Sequence, residues 1–167
     1  MLKYLVFLFI ASAGIAMADP AALTPFTTPD GRCQISFPGA PTSGSQTISA
    51  KNGIPSFNLY QWNAATDNGH VDYMLMYADY PEGFSRTLEQ CRDGAVRGLP
   101  GGQLTSDAPI TFNGMTGREF TCDDQAGVHV AERVFRVGQR YYQLIIVAEK
   151  GYTALLQDAF FSSFQGN

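Results

Sequence analysis

Two Asn-Gly dipeptides, Asn52-Gly53 and Asn113-Gly114, constrain this chain more than any other feature. Asn-Gly accepts positive φ at two successive residues, which is what a two-residue hairpin turn demands if its twist is to match the flanking strands. Each lies between strand-like runs: TISA before Asn52 and IPSFNLYQW after Gly53, PITF before Asn113 and MTGREFTC after Gly114. Pro29-Asp30-Gly31 separates Phe26-Thr27-Thr28 from Cys33-Gln34-Ile35-Ser36-Phe37 in the same way. Asp67-Asn68-Gly69 and Val137-Gly138-Gln139 are softer signals of the same kind. A chain cut so often by tight turns folds as an antiparallel meander of hairpins.

Two segments break that rhythm. Phe84, Leu88, Cys91, Ala95 and Leu99 recur at helical spacing, which predicts a helix with Ser85 as N-cap, ending at Gly98 before Pro100. Tyr152, Leu155, Leu156, Ala159, Phe160 and Phe164 repeat three and four apart, which predicts a second helix, capped by Thr153 and running almost to the C-terminus. The run Leu144-Ile145-Ile146-Val147-Ala148 is far too short for a bilayer span. An apolar run without alternation suits a strand buried on both faces, so the sheet needs cover on both sides. The expectation is an α+β fold, an antiparallel sheet with helices on both faces in an α/β/α sandwich. Its last helix seals the core with Leu155, Leu156, Phe160 and Phe164, and Phe161 falls beside that stripe. Residues 75–90 and 144–158 echo one another weakly, each reading as a strand-to-helix corner.

The N-terminus carries Lys3, an apolar stretch from Tyr4 to Ile15, and the small-x-small triplet Ala16-Met17-Ala18. That is the layout of a secretory signal peptide, so residues 1–18 are expected to be cleaved and 19–167 to form one domain, periplasmic or secreted. The chain has 11 basic and 15 acidic side chains, a net charge of −4 that argues against nucleic acid as a partner. Cys33, Cys91 and Cys122 all survive cleavage, and an oxidising compartment predicts one disulfide. Cys91 is the favoured member, with Cys33 or Cys122 as its partner, leaving one buried thiol.

Several pieces together resemble a known group. GRCQISFPGAP (31–41) is similar to the strand that ends in Phe-Pro in small secreted proteins of the Mog1/PsbP-like superfamily. NGMTGREF (113–120), RVFRVGQRYYQL (133–144) and FFSSF (160–164) resemble that group's later hairpin, penultimate strands and closing helix. These motifs are made of packing and turn residues. The resemblance implies an antiparallel sheet with helices on both faces. Members of the superfamily act as partner-binding proteins, among them a GTPase-binding nuclear protein and a photosystem subunit. No functional residue transfers from the resemblance.

The sequence has no nucleophile elbow, no zinc-protease motif, no Cys-x-x-Cys and no phosphate-cradling loop, so no cofactor, metal site or catalytic residue is assigned. His70 and His129 are the only histidines, and neither has a ligand-spaced neighbour. A small hydrolase pairing Cys33 or Cys122 with His129, or assembling carboxylates in space, is the alternative reading. Two candidate binding surfaces remain. Arg118, Arg133, Arg136 and Arg140 lie in neighbouring strands and form either a basic patch or cross-strand pairs with Glu119 and Glu132. Strand alternation puts Tyr60 and Trp62 on one face, and Tyr73 and Tyr77 on one face of the next strand. Those rings are an aromatic platform if open and core if covered. The expected function is an exported, non-catalytic binding or assembly domain of the bacterial envelope. Its partner would be an envelope protein or glycan, met by a monomer without a membrane span.

Overall fold

A computed structural model of the chain describes residues 23–49 and 55–166. The expected signal peptide, Lys51 and the turn expected at Asn52-Gly53 lie outside the described residues.

Two antiparallel sheets make up most of the fold. The smaller contains β1 (Thr24–Thr27), β2 (Cys33–Phe37) and β10 (Gln165–Gly166) in the order β1-β2-β10. The larger has seven strands: β3 (Thr42–Ile48), β4 (Phe57–Thr66), β5 (Val71–Asp79), β6 (Gln103–Phe112), β7 (Met115–Asp123), β8 (His129–Val137) and β9 (Arg140–Ala148). Their order is β3-β4-β5-β9-β8-β7-β6, so hairpins from the two halves of the chain meet where β5 pairs with β9. Among the described residues the α-helices are α1 (Leu88–Gly98) and α2 (Gln157–Ser162).

The turn residues do what their chemistry demands. Asn113 and Gly114 adopt φ of 50° and 78°, closing β6 onto β7 with Phe112 opposite Met115. Asp67, Asn68 and Gly69 are all left-handed, in a short 3-10 turn between β4 and β5. In the β1–β2 connection, Thr28 Oγ accepts from the Cys33 N–H at 3.1 Å and donates to Asp30 at 2.7 Å. Strands β3 and β4 pair antiparallel, with Ile48 facing Phe57.

Helix α1 starts two residues later than its sequence pattern suggests. Thr87, not Ser85, is the N-cap: its hydroxyl accepts from the Gln90 N–H, and the Gln90 side chain returns to the Thr87 N–H. This reciprocal box satisfies two otherwise orphaned donors, an advantage Ser85 cannot match because Thr87 has a Gln three residues on. The second helix is shorter than expected. Residues 152–154 are irregular, Leu155 and Leu156 form a turn, α2 covers six residues, and Leu156 occupies its N-cap with no side-chain capping bond. Instead the buried Tyr73 hydroxyl accepts from the Leu156 N–H at 3.3 Å. After α2, Phe164 turns inward and the chain adds β10 to the edge of β2.

The larger sheet therefore has two unlike covers. One face packs Val71, Tyr73, Leu75, Phe135, Tyr142, Leu144 and Ile146 against Ile35 and Phe37 of β2 and Phe160, Phe161 and Phe164 from the C-terminal segment. The other packs Phe120, Cys122, Val130, Val134 and Tyr141 against α1, through Cys91 and the partly buried Leu88, Ala95, Val96 and Leu99. A three-stranded sheet thus shares with α2 the task that a helix alone was expected to perform. Leu155 is not part of the seal at all: it is 80% exposed, whereas Phe161 is fully buried. Among the described residues no helix is long and apolar enough to cross a membrane.

Candidate functional site

The aromatic residues singled out from the sequence do meet. Strand alternation and the β4–β5 register bring Tyr60 opposite Tyr77, with ring centroids 5.1 Å apart, and Trp62 stacks on Tyr77 at 5.4 Å. Phe26 of β1 lies over Trp62 at 5.6 Å, and Phe160 meets Tyr73 edge-on. Trp62, Tyr73 and Tyr77 are buried, and Tyr60 is half-buried at the rim. These rings belong to the layer between the sheets.

The four strand arginines divide between the faces. Arg133 and Arg140 lie on the side of the small sheet, whereas Arg118 and Arg136 lie on the side of α1. Arg140 is 4% exposed, ion-paired with Asp30 and Asp79, and stacked over Tyr77 at 4.2 Å. Burial alone would raise the Asp30 carboxyl, but bonds from Thr28 and Arg140 override it and hold that group at about 2. Arg133 pairs with Glu119 across the β7–β8 ladder and lies over the Phe161 ring. Arg118 joins Asp107 of β6 to Glu89 of α1. Arg136 differs. Its bonds reach only neutral acceptors, the Gly138 carbonyl at 2.9 Å and Gln139, and it packs over Tyr141.

The groups able to do covalent chemistry are kept apart. His129 pairs with Asp123 at 2.7 Å on the surface, and His70 pairs with Glu149 at 2.8 Å while stacking on Tyr152. All three cysteines are free and buried, so the expected disulfide is corrected. Cys33 lies in the layer between the sheets, whereas Cys91 on the inner face of α1 and Cys122 beneath that helix lie on the other side, with the larger sheet separating the two environments. Burial pushes the Cys33 thiol up to about 12 and those of Cys91 and Cys122 up to about 11. Glu132 also lies under α1, 2% exposed, accepting a 2.8 Å bond from Gln143. Burial raises its carboxyl to about 7 against the pull of that bond. Among the described residues no three His, Cys, Asp or Glu side chains gather as metal ligands.

Concavity is found instead beside the start of α1. A groove of roughly 570 Å³ is lined by Arg86, Thr87, Leu88, Gln90, Thr116 and Arg136 among others. A second, of roughly 330 Å³, shares Ser85, Arg86 and Gln90 with it and extends to Phe84 and Arg97. The loop between them is held firmly. Tyr80 contacts Phe57, Phe84 and Tyr141, each with centroids 4.7–5.0 Å apart, and the Tyr141 hydroxyl bonds the Arg86 backbone. Arg86 and Arg97 were not singled out from the sequence, because no spacing links them to Arg136. Only the packing of α1 across β7 and β8 brings the three together.

No family model matches the sequence, and no characterised protein matches it by sequence. Solved structures do. Cyanobacterial PsbP (CyanoP) from Synechocystis sp. is 11% identical, with a TM-score of 0.56 over 94% of this chain and 98% of that one. LpqN of Mycobacterium tuberculosis, described as involved in cell envelope biogenesis, is 15% identical, with a TM-score of 0.42 over 85% and 87% of the two chains. The likeness to cyanobacterial PsbP shows a PsbP-like fold, and the resemblance read from the sequence holds at that level.

Proposed function

We propose that the chain is an exported, non-catalytic binding or assembly domain of the bacterial envelope. The observation that carries this reading is the separation of its reactive groups. A Cys-His hydrolase needs a thiolate within hydrogen-bond reach of an imidazole. Here the thiols are buried and pushed far above neutrality, and each histidine is engaged by a surface carboxylate. The leader-like N-terminus and the PsbP-like fold support export and partner binding, the second by fold analogy alone. The same positions of Cys and His weaken the hydrolase alternative.

The test is to cross-link the exported chain in intact cells, identify what it captures, and assay the purified protein on ester, peptide and glycan substrates. A reproducible stoichiometric partner with no turnover is the expected result. Turnover that disappears on substitution of His129, Cys33 or Cys122 overturns the reading.

A further inference from the structure

We infer that the outer edge of β3 takes an extended, uncharged segment of a protein partner as an added strand of the larger sheet. This deepens the binding-domain reading and rests on it. A sheet edge offers a row of N–H and C=O groups to any extended chain, so folded proteins blunt their edges with short strands, proline, charge or bulges. Among the described residues the two sheets have four edge strands, β1, β10, β3 and β6. Three of them are blunted. β10 has two residues, β1 has four with Pro25 among them, and β6 carries Asp107, Pro109 and a break in register between Leu104 and Ser106. The fourth, β3, is seven residues reading TSGSQTI, with no proline, charge or break in register. All but Ile48 are exposed, and a Cβ added at Gly44 would meet no atom within 4 Å. Among the described residues no strand pairs with its outer side.

The chemistry of the edge selects the occupant. In an antiparallel pair every second residue turns both backbone groups away from its neighbour, so β3 directs alternate N–H and C=O groups outward. Its register with β4 is unbroken from Thr42 to Ile48, which keeps those groups in line. Thr42 and Thr47 brace the strand, donating to the Asn63 and Asn58 side chains of β4 at 3.0 Å each. Neither β3 nor β4 contains a charged side chain, so nothing in this hairpin answers a charge on the occupant. Hydroxyl-bearing and β-branched residues pair well across strands with Ser and Thr. A second copy of this chain fits less well. Both copies would carry a net charge of −4, and one strand's edge of short side chains falls far below the roughly 800 Å² per partner of a stable interface. An extended segment needs no such area, because main-chain hydrogen bonds supply its affinity.

The probe is a synthetic peptide of alternating Thr and Val, matched to β3 in length. It is N-methylated at every second residue, which leaves one edge able to pair and prevents the peptide from stacking on itself. Titrated into the isotope-labelled exported chain, it should give saturable amide shifts concentrated at residues 42–48. The same peptide methylated at every residue should give none. Affinity should change by less than about twofold as salt rises, since no charge of the hairpin faces the peptide. Of Gly44→Pro and Ser45→Pro, one removes an outward N–H and the other a ladder bond to β4. The variant with the higher melting temperature is the first kind, and it should bind about fivefold more weakly or worse. No saturable shifts, shifts centred away from β3, or unchanged affinity in that variant overturns the inference. So does a dimer in sedimentation runs that the same variant abolishes, which makes a second copy the occupant. Cross-linking in intact cells separates this failure from that of the parent reading. A partner still captured by that variant removes the edge but keeps the binding domain, whereas catalytic turnover removes both.

Discussion

The Tyr141 hydroxyl closes both ends of one peptide residue, accepting from the Arg86 backbone N–H at 3.0 Å and donating to the Arg86 carbonyl. A core residue of β9 thereby sets the path of the chain into α1. Tyr141→Phe keeps the ring and strands two partly buried backbone groups, at a cost of about 1–3 kcal/mol. Chemical denaturation should show that loss. Amide exchange at residues 84–87 should rise more than exchange in the sheet. Uniform exchange would mean that the hydroxyl does not hold the loop.

Gly117 on β7 faces Phe135 on β8, and a Cβ added there would stand 2.4 Å from the Phe135 ring and 2.9 Å from the Val134 carbonyl. Neither can withdraw, because both residues are fully buried. Gly117→Ala should destabilise by about 1–3 kcal/mol, although Ala suits a strand better than Gly. The double variant Gly117→Ala/Phe135→Leu should recover part of that loss. A thermal melt unchanged in the single variant would contradict this close approach.

The C-terminal aromatics carry the seal between the sheets. Phe160→Ala or Phe164→Ala should cost about 3–5 kcal/mol, a large part of the roughly 5–15 kcal/mol that keeps such a domain folded. Leu155→Ala should change stability by no more than about 0.5 kcal/mol, since that side chain is 80% exposed. A comparable melting loss in all three variants would show that the segment before α2 also packs.

Glu132 predicts a pH dependence with a definite sign. Its carboxyl moves from 4.5 to about 7 on folding, so the folded chain holds a proton that the unfolded chain releases first. The stability this supplies is complete below about pH 4.5 and falls as pH rises through about 7. Glu132→Gln keeps an acceptor for Gln143 and removes the ionisable group. It should flatten the curve and stabilise the protein above neutrality by about 3 kcal/mol at most. Denaturation midpoints that run parallel for the two proteins from pH 5 to 8 would rule out Glu132 as the cause.

Three buried thiols should resist alkylation in the folded protein and react after unfolding without reductant. Mass spectrometry then counts three modifications. A single modification would reinstate a disulfide between two of them.

Turn positions were legible in the sequence because their chemistry is local. Asn113-Gly114 and Asp67-Asn68-Gly69 carry a demand for positive φ that few other residues meet cheaply, and it holds whatever packs around them. The same is true of the helix pattern at 88–99 and of the unbroken apolar run in β9, which fixed a strand needing cover on both sides.

Everything that depended on which side of a strand meets which neighbour was decided by tertiary structure. Spacing alone placed Leu155 with Phe160 and Phe164, yet the stacking of Tyr152 on His70 and the Tyr73 bond to Leu156 delay α2 and leave Leu155 in solvent. Alternation put four arginines in adjacent strands, but register and parity send Arg133 and Arg140 to one face and Arg118 and Arg136 to the other. The sheet likewise separates Cys33 from Cys91 and Cys122, and the docking of α1 gathers Arg86 and Arg97 near Arg136. Periodicity gives a residue's side relative to its own element. Only the packed chain assigns that side to core, partner element or water.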